Sequence, residues 1–406
     1  MTREFDLVIF GATGFTGRLM VEYLAKQTNN KCKWAVAGRD SARLTNILKK
    51  NNAEGRASVI TASVDNQQSI NSMCSRTRAV LNAVGPFLKY GEPVVKGCVN
   101  EKCHYLDITG EPAFINLMIE KYHEQAKKNN VKIVHCVGLD SVPADLGAQF
   151  VLEQLKVAEG TSLKDSSVHV ESFIEAYGQM SFGTFSTIVT SLNNVSIFDK
   201  KEKSSTPKST KSKKVTSRGI GYEPFVQSYV VPFSSSDPTI VKRSALLEKY
   251  HADGQVPFTY GHYLQVKKWY NLLLIVLFGL TIFVVTRFPY GAALLMYLFT
   301  KLKGESLGGE EASKDGYFLM PFRGTLQTSE GSKVVACSVG AKGDPGYGET
   351  SKWAVEAALC LLFDVDDNKN GGVITPASSM GKHLRARLEK IGMHFEVTST
   401  TKPKEQ

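Results

Sequence analysis

Three glycines at three-residue spacing, directly after a short apolar run, constrain this chain more than any other feature. The run FDLVIF at 5–10 has no helical periodicity and suits a strand buried on both faces. GATGFTG at 11–17 follows, and from Arg18 to Lys26 the residues Leu19, Met20, Tyr23 and Leu24 fall on one helical stripe. Strand, glycine turn and helix in that order form the first half of a dinucleotide site. The backbone there must turn sharply and approach a pyrophosphate, which the free N–H groups and partial positive charge of the helix start then hold. Gly11, Thr13, Gly14, Phe15, Thr16 and Gly17 are therefore the expected pyrophosphate cradle.

The next strand, 33–37, ends in Gly38, Arg39 and Asp40. Where the cofactor is NAD, an acid at this strand end binds the ribose hydroxyls and would repel a 2′-phosphate. Arg39, with Arg43 one turn further on, instead offers a guanidinium to a phosphate and a flat surface to adenine, which favours NADP over NAD. Asp40 is the residue that speaks against this. Asp65, just past a third strand at 57–62, is placed to meet the adenine amino group. Asn82, Gly85 and Pro86, after a fourth strand at 79–84, are placed beside the nicotinamide ribose. Two more strands, 104–108 and 132–137, complete six that alternate with helical patterns, so residues 1–150 are expected to form a Rossmann-type doubly wound parallel sheet.

The carboxyl ends of such strands line the crevice. Asp107, Glu111, Asp140 and Asp145 fall there, although each also suits a helix cap. For a proton donor the candidates are Tyr90, His104 and Asp140. No Tyr-x-x-x-Lys dyad follows, since Ala126 stands four residues after Tyr122.

The motifs VIFGATGFTG (8–17), WAVAGR (34–39), LNAVGP (81–86), YGEP (90–93), DITGEP (107–112), GLDSVPADLG (138–147) and GGVITP (371–376) together resemble the saccharopine dehydrogenase-like oxidoreductases. The likeness spans nearly the whole chain and is most specific in the first 150 residues. It implies an NADP-dependent oxidoreductase associated with lipid droplets, with mycobacterial relatives that act as trans-acting enoyl reductases in glycolipid synthesis. It does not imply lysine catabolism, because true saccharopine reductases carry a different turn after the first strand.

From residue 151 the pattern changes. Long strand-like runs at 168–176, 315–324 and 333–340 suit a largely antiparallel sheet in a second α+β domain, 151–345, for substrate and for a homodimer contact, although the residues do not fix the oligomeric state. SFGT at 181–184 reads as a glycine turn into a helix. Between Lys200 and Arg218 there are eight Lys or Arg against one acid, Glu202, so much of the formal charge of +10 belongs to one basic loop. Such a loop is either solvated or drawn to anionic lipid headgroups. Nothing resembles a nucleic-acid-binding motif, and no nucleic-acid partner is expected. The seven cysteines include no C-x-x-C pair, and neither a disulfide framework nor a metal site is expected. No apolar signal region or Arg-rich presequence precedes the first strand.

The second informative stretch is 272–299. Its first fourteen residues are uncharged and apolar on every face, with Lys267, Lys268, Trp269 and Tyr270 in front and a Pro289–Gly291 reversal behind. Fourteen residues make about 21 Å of helix, short of a ~30 Å hydrocarbon core. The segment therefore reads either as a helical hairpin dipping into one leaflet of a membrane or lipid-droplet monolayer, from the cytosolic face, or as a helix buried in protein. Helices in 346–406 are expected to pack back on the first domain, with Thr350 as a cap and 371–377 as a loop. A lipid-like substrate reduced at a carbonyl or enoyl group is one functional expectation. A non-catalytic NADP(H)-binding protein of the lipid-droplet surface is the other.

Overall fold

The computed structural model describes residues 3–27, 31–155, 166–177, 185, 189, 218–233, 235–248, 257–303, 316–328, 331–366 and 371–401. The SFGT turn and the basic run at 200–217 lie outside the described residues.

Six strands arise in the first third of the chain: β1 (Phe5–Phe10), β2 (Trp34–Gly38), β3 (Ala57–Thr61), β4 (Thr77–Asn82), β5 (His104–Asp107) and β6 (Lys132–Val134). Helices α1 (Phe15–Lys26), α2 (Ser41–Lys50), α3 (Gln67–Ser75), α4 (Phe87–Tyr90), α5 (Glu92–Asn100) and α6 (Pro112–Lys128) separate them, and α7 (Val142–Leu155) follows. The rest of the chain supplies β7 (Ser167–Tyr177), β8 (Gly221–Glu223), β9 (Ser228–Pro232), α8 (Asp237–Leu247), β10 (Phe258–Val266), α9 (Trp269–Val285), α10 (Gly291–Lys303), β11 (Tyr317–Thr328), β12 (Gly331–Lys342), α11 (Thr350–Phe363), β13 (Gly372–Ile374), α12 (Pro376–Lys390) and β14 (His394–Thr401).

The first sheet has the order β13-β6-β5-β4-β1-β2-β3, with every pair parallel. Alternation along β1 explains why the run is apolar throughout. Leu7 and Ile9 enter one core and Val8 and Phe10 the other, all buried. Helices α1, α2 and α11 cover the first face, and α3, α5 and α6 the second.

The parallel sheet is as expected but has a seventh strand. Residues 372–374, read from sequence as part of a loop, pair in parallel with β6, Val373 opposite Ile133. Three residues, the first of them the second glycine of a pair, carry no strand period, and the pairing partner lies far upstream. Thr350 is also not the cap. It opens α11, and its hydroxyl donates to the Pro345 carbonyl at 2.8 Å and accepts from the Leu139 N–H at 2.9 Å, tying α11 to the loop after β6.

The second sheet has the order β14-β12-β11-β7-β10-β9-β8. It is antiparallel except for β7 and β10, which run parallel. Helix α7 packs on β11 and β12. A Cβ on Gly147 would overlap the Phe322 ring, so the contact depends on bare backbone at that point. Within α11, Glu356 accepts from Tyr23 Oη of α1 and from Arg387 of α12, each at 2.8 Å.

The turn between helices α9 and α10 requires Gly291, because a Cβ there would overlap the Val285 carbonyl oxygen. Only Ile282 of α9 is fully buried, in a small cluster with Phe185 and Val189. Leu274 is 61% exposed, Phe278 50% and Phe288 64%. At seventeen residues, α9 is about 26 Å long. Among the described residues no helix is long and apolar enough to cross a membrane.

Candidate functional site

The glycine turn has the geometry that a dinucleotide demands. Gly11 sits at φ +87°, and a Cβ there would lie 2.7 Å from Val84 Cγ2. Gly14 N–H donates to the Gly11 carbonyl at 2.9 Å, closing the turn. A Cβ on Gly17 would overlap the Gly11 carbonyl oxygen, so any larger residue would push α1 away from β1. The first turn of α1 has no acid, and Gly14 provides no side-chain cap, which leaves the helix start to an anion. The chain behind the turn holds it in place. The Phe15 ring meets Tyr347 edge-on at 5.1 Å, and Ser351 Oγ donates to the Thr16 carbonyl at 3.4 Å. Thr13 is partly exposed, and a cleft of about 360 Å³ runs from it between α1 and α2, lined by Arg18, Arg43 and Lys50.

At the tip of β2, Gly38 is buried and Arg39 exposed. Asp40 caps α2, accepting from the Arg43 N–H at 3.0 Å. The acid that spoke against NADP thus has a local duty, and Arg39 is exposed where a 2′-phosphate would come. Asp65 is exposed past the end of β3, turned back on Ser63. These residues fit the cofactor: glycines where a pyrophosphate must come close, and guanidinium where its extra phosphate would fall.

At the other end of the crevice, Asn82 serves the turn rather than facing solvent. It is fully buried, accepting from Val84 N–H at 3.0 Å and donating to Tyr105 Oη at 3.1 Å. Gly85 and Pro86, joined by a cis peptide, are exposed beside it. Glu111 accepts from the N–H groups of Phe87 and Leu88 at 2.8 and 2.9 Å, so it caps α4. Asp107 is also committed, with Oδ1 taking Thr109 and Cys136 N–H groups at 3.1 Å and Oδ2 meeting His135 Nδ1 at 2.7 Å in a fully buried pair. Asp145 accepts from Ala377 N–H at 2.8 Å and from Ser244, joining α7, α8 and α12, and burial pushes its carboxyl up to about 8.

The three proton-donor candidates do not share one place. His104 opens β5 and so lies at the amino edge of the sheet, about 10 Å of strand away from the crevice. Its Nδ1 accepts from Lys132 N–H at 3.1 Å, which is a structural duty. Tyr90 is half-buried at the end of α4 with Lys89 Nζ 4.9 Å from its ring centre. Asp140 alone stands over the tip of β5: a Cβ on Gly110 would be 2.9 Å from its Oδ2. Burial, and then the neighbouring Asp237 charge, push Asp140 up to about 7. Asp237, whose charge reaches Asp140, and His262, whose Nε2 lies 3.1 Å from Asp237 Oδ2, were not singled out in the sequence. Ser235, Ser236 and Asp237 before Pro238 read only as a helix start.

Residues 7–134 match the family described as saccharopine dehydrogenase NADP binding domain. A saccharopine dehydrogenase-like oxidoreductase of Mus musculus is 31% identical over 98% of both chains. A Caenorhabditis elegans protein named "Lipid droplet localized protein" is 30% identical over 98% of this chain and 99% of its own. A Mycobacterium tuberculosis protein named as a trans-acting enoyl reductase is 30% identical over 98% of each. In fold, the chain is similar to the apo saccharopine dehydrogenase (L-Glu forming) of Saccharomyces cerevisiae, with a TM-score of 0.55 and 12% identity, covering 97% of this chain and all of that one. With its glycine turn and Arg39 strand end in place and this likeness running almost from end to end, the chain belongs to the saccharopine dehydrogenase-like oxidoreductases and is an NAD(P)-dependent oxidoreductase whose cofactor is NADP.

Proposed function

We propose that this oxidoreductase reduces a carbonyl or enoyl group of a lipid-like substrate while attached to a lipid monolayer or membrane surface. The observation that carries the reading is the apolar pair α9–α10. A soluble surface rarely leaves so many large side chains of neighbouring turns in water, and here Leu273, Leu274, Leu277, Phe278, Leu280 and Phe288 are all at least 49% exposed. Lys268 and Tyr270 sit at the head of α9 with the ammonium 5.5 Å from the ring centre, the pairing of cation and aromatic that favours a headgroup boundary. The length of α9 suits an element lying in one leaflet rather than spanning two. A relative named for the lipid droplet, and another named as an enoyl reductase, agree with the setting and the reaction class.

In this reading the α1 start and Arg39 hold the cofactor, which supplies the hydride. Asp140 supplies the proton to the other end of the reduced double bond. The test is flotation with phosphatidylcholine vesicles, together with NADPH consumption on vesicle-borne enoyl and keto lipids. Leu274→Ser, Leu277→Ser and Phe278→Ser combined should reduce vesicle partition at least ~10-fold, since each buried large apolar side chain contributes about 1.5 to 3 kcal/mol. NADPH binding should remain intact. A triple variant that floats as well as the parent protein would remove the lipid-surface reading.

A further inference from the structure

The second sheet has two unlike ends. At one of them Tyr317 of β11 stands opposite Lys342 of β12 on one side and Tyr177 of β7 on the other. Leu264 of β10 is level with Ile174 of β7, so three residues on, Lys267 comes level with Tyr177. Val266 stands opposite Tyr229 of β9, and Tyr229 opposite Tyr222 of β8. Across six strands this end therefore reads Lys342, Tyr317, Tyr177, Lys267, Tyr229 and Tyr222. The opposite end of β7, β11 and β12 offers Ser167, Gln327, Thr328 and Ser332 instead.

The row is braced and faces outward. Tyr177 and Tyr222 are each more than half exposed, and Tyr317 is 37% exposed. Tyr177 stacks on Tyr317 with ring centres 6.3 Å apart, and Tyr222 meets Tyr229 edge-on at 5.6 Å. Glu175 accepts from Lys267 Nζ at 2.6 Å and from Tyr317 Oη, so this acid is spent within the row. Lys268, Trp269 and Tyr270 follow Lys267 directly and lead into α9, which puts the head of the exposed apolar helix at the same end of the sheet.

We propose that this end of the second sheet rests on a phospholipid surface, with its tyrosines and lysines at headgroup level beside the head of α9. The proposal rests on the lipid-surface reading above and fixes how the molecule stands there, with the tyrosine ends of β7, β8, β9 and β11 turned to the lipid.

Tyrosine suits that place, because its ring enters the acyl boundary while its hydroxyl stays among headgroups and water. Lys268 and Lys342 are exposed and complement an anionic headgroup. A lipid surface is also the occupant that covers the row and the exposed side chains of α9 together, since the two are continuous through Lys267 and Lys268.

Tryptophan emission tests the row apart from the helices. Of the three tryptophans, Trp34 and Trp353 are buried and only Trp269 is exposed. In a Trp269→Phe background, Tyr177→Trp and Tyr222→Trp each place a reporter in the row, and either one carries the test if the other does not fold. On phosphatidylcholine vesicles, a nitroxide on the headgroup should quench both reporters, and a nitroxide deep in the acyl chain should quench them less. Lys268→Ser combined with Lys342→Ser should weaken partition onto phosphatidylserine vesicles by ~30-fold, about fivefold per lysine, and leave phosphatidylcholine nearly unmoved. A parent protein that does not float with vesicles sinks the lipid-surface reading, and this one with it. Protein that floats while both reporters ignore the headgroup label leaves the helices as the attachment and overturns the row alone. Stronger quenching from the deep label overturns it too, as does reporter emission that changes with protein concentration in the absence of vesicles, which would give the row to a second copy of the chain. Equal partition of the lysine variant and the parent onto phosphatidylserine overturns the assignment of the lysines to headgroups.

Discussion

The two ends of the crevice are built in opposite ways. The pyrophosphate end is one unbroken stretch, 11–17, whose fitness lies in absent side chains: Gly11 and Gly17 each leave room that a Cβ would fill. The end to which we assign the proton is assembled from the loop after β6, the head of α8 and strands β7 and β10, and among the described residues Asp237 Oδ1 is buried there without a hydrogen-bond partner. Binding an invariant anion asks only for backbone at the right curvature, which local sequence can encode. Holding a proton asks for exclusion of water from several directions, which only distant segments folding together can provide.

That contrast can be strained first at its backbone end. Gly17→Ala drives a methyl into the Gly11 carbonyl and should weaken NADPH and NADH alike by ~100-fold or more, read by fluorescence titration. Equal affinity in the variant would mean that α1 can retreat from β1 without loss. Arg39→Ala leaves the turn intact and should cost NADPH roughly tenfold while leaving NADH unchanged, because only the 2′-phosphate contact is removed. A parallel loss for both cofactors would place Arg39 on the adenine rather than the phosphate.

The proton end should respond to pH instead. Asp237 is raised in the folded protein from its ordinary 3.8 to about 7, so its contribution to stability is whole below about pH 4 and is lost as pH rises to 7. Asp237→Asn lacks that loss. Its melting temperature should equal the parent's near pH 4 and exceed it by about 2–4 °C at pH 8, in a scan against pH. A constant offset at all pH values would mark a packing effect rather than a titration.

The same contrast explains what the sequence disclosed. Strand, glycine turn, helix and the Arg39 strand end were legible because each is set by neighbours within a few residues. The crevice acids were found as a group, but their duties were not separable: Glu111 spends both oxygens on backbone N–H groups, Asp107 divides its own between backbone N–H groups and His135, and Asp140 is held up by burial and the Asp237 charge. His104 looked equivalent to the crevice residues because strand polarity is lost when a strand is read as one unit, and it sits at the wrong edge. Asp237 reads as a helix cap before Pro238, and nothing nearby announces its burial. Strand β13 was illegible for a related reason. Three residues have no period, and what makes them a strand is β6 beside them.

That late strand has a consequence for how the protein is made. When the ribosome has released β1 to β6, the nascent chain already carries its glycine turn, but the edge beside β6 is open and the face over α1 and β4 is bare of α11. Both are closed by residues that emerge near the end of synthesis. Contacts of such long range fold slowly, and the exposed apolar face in the interval is a hazard that a chaperone would have to shield. A messenger cut short before residue 350 would therefore yield a protein with every cofactor motif written in it and no firm wall to press that motif against.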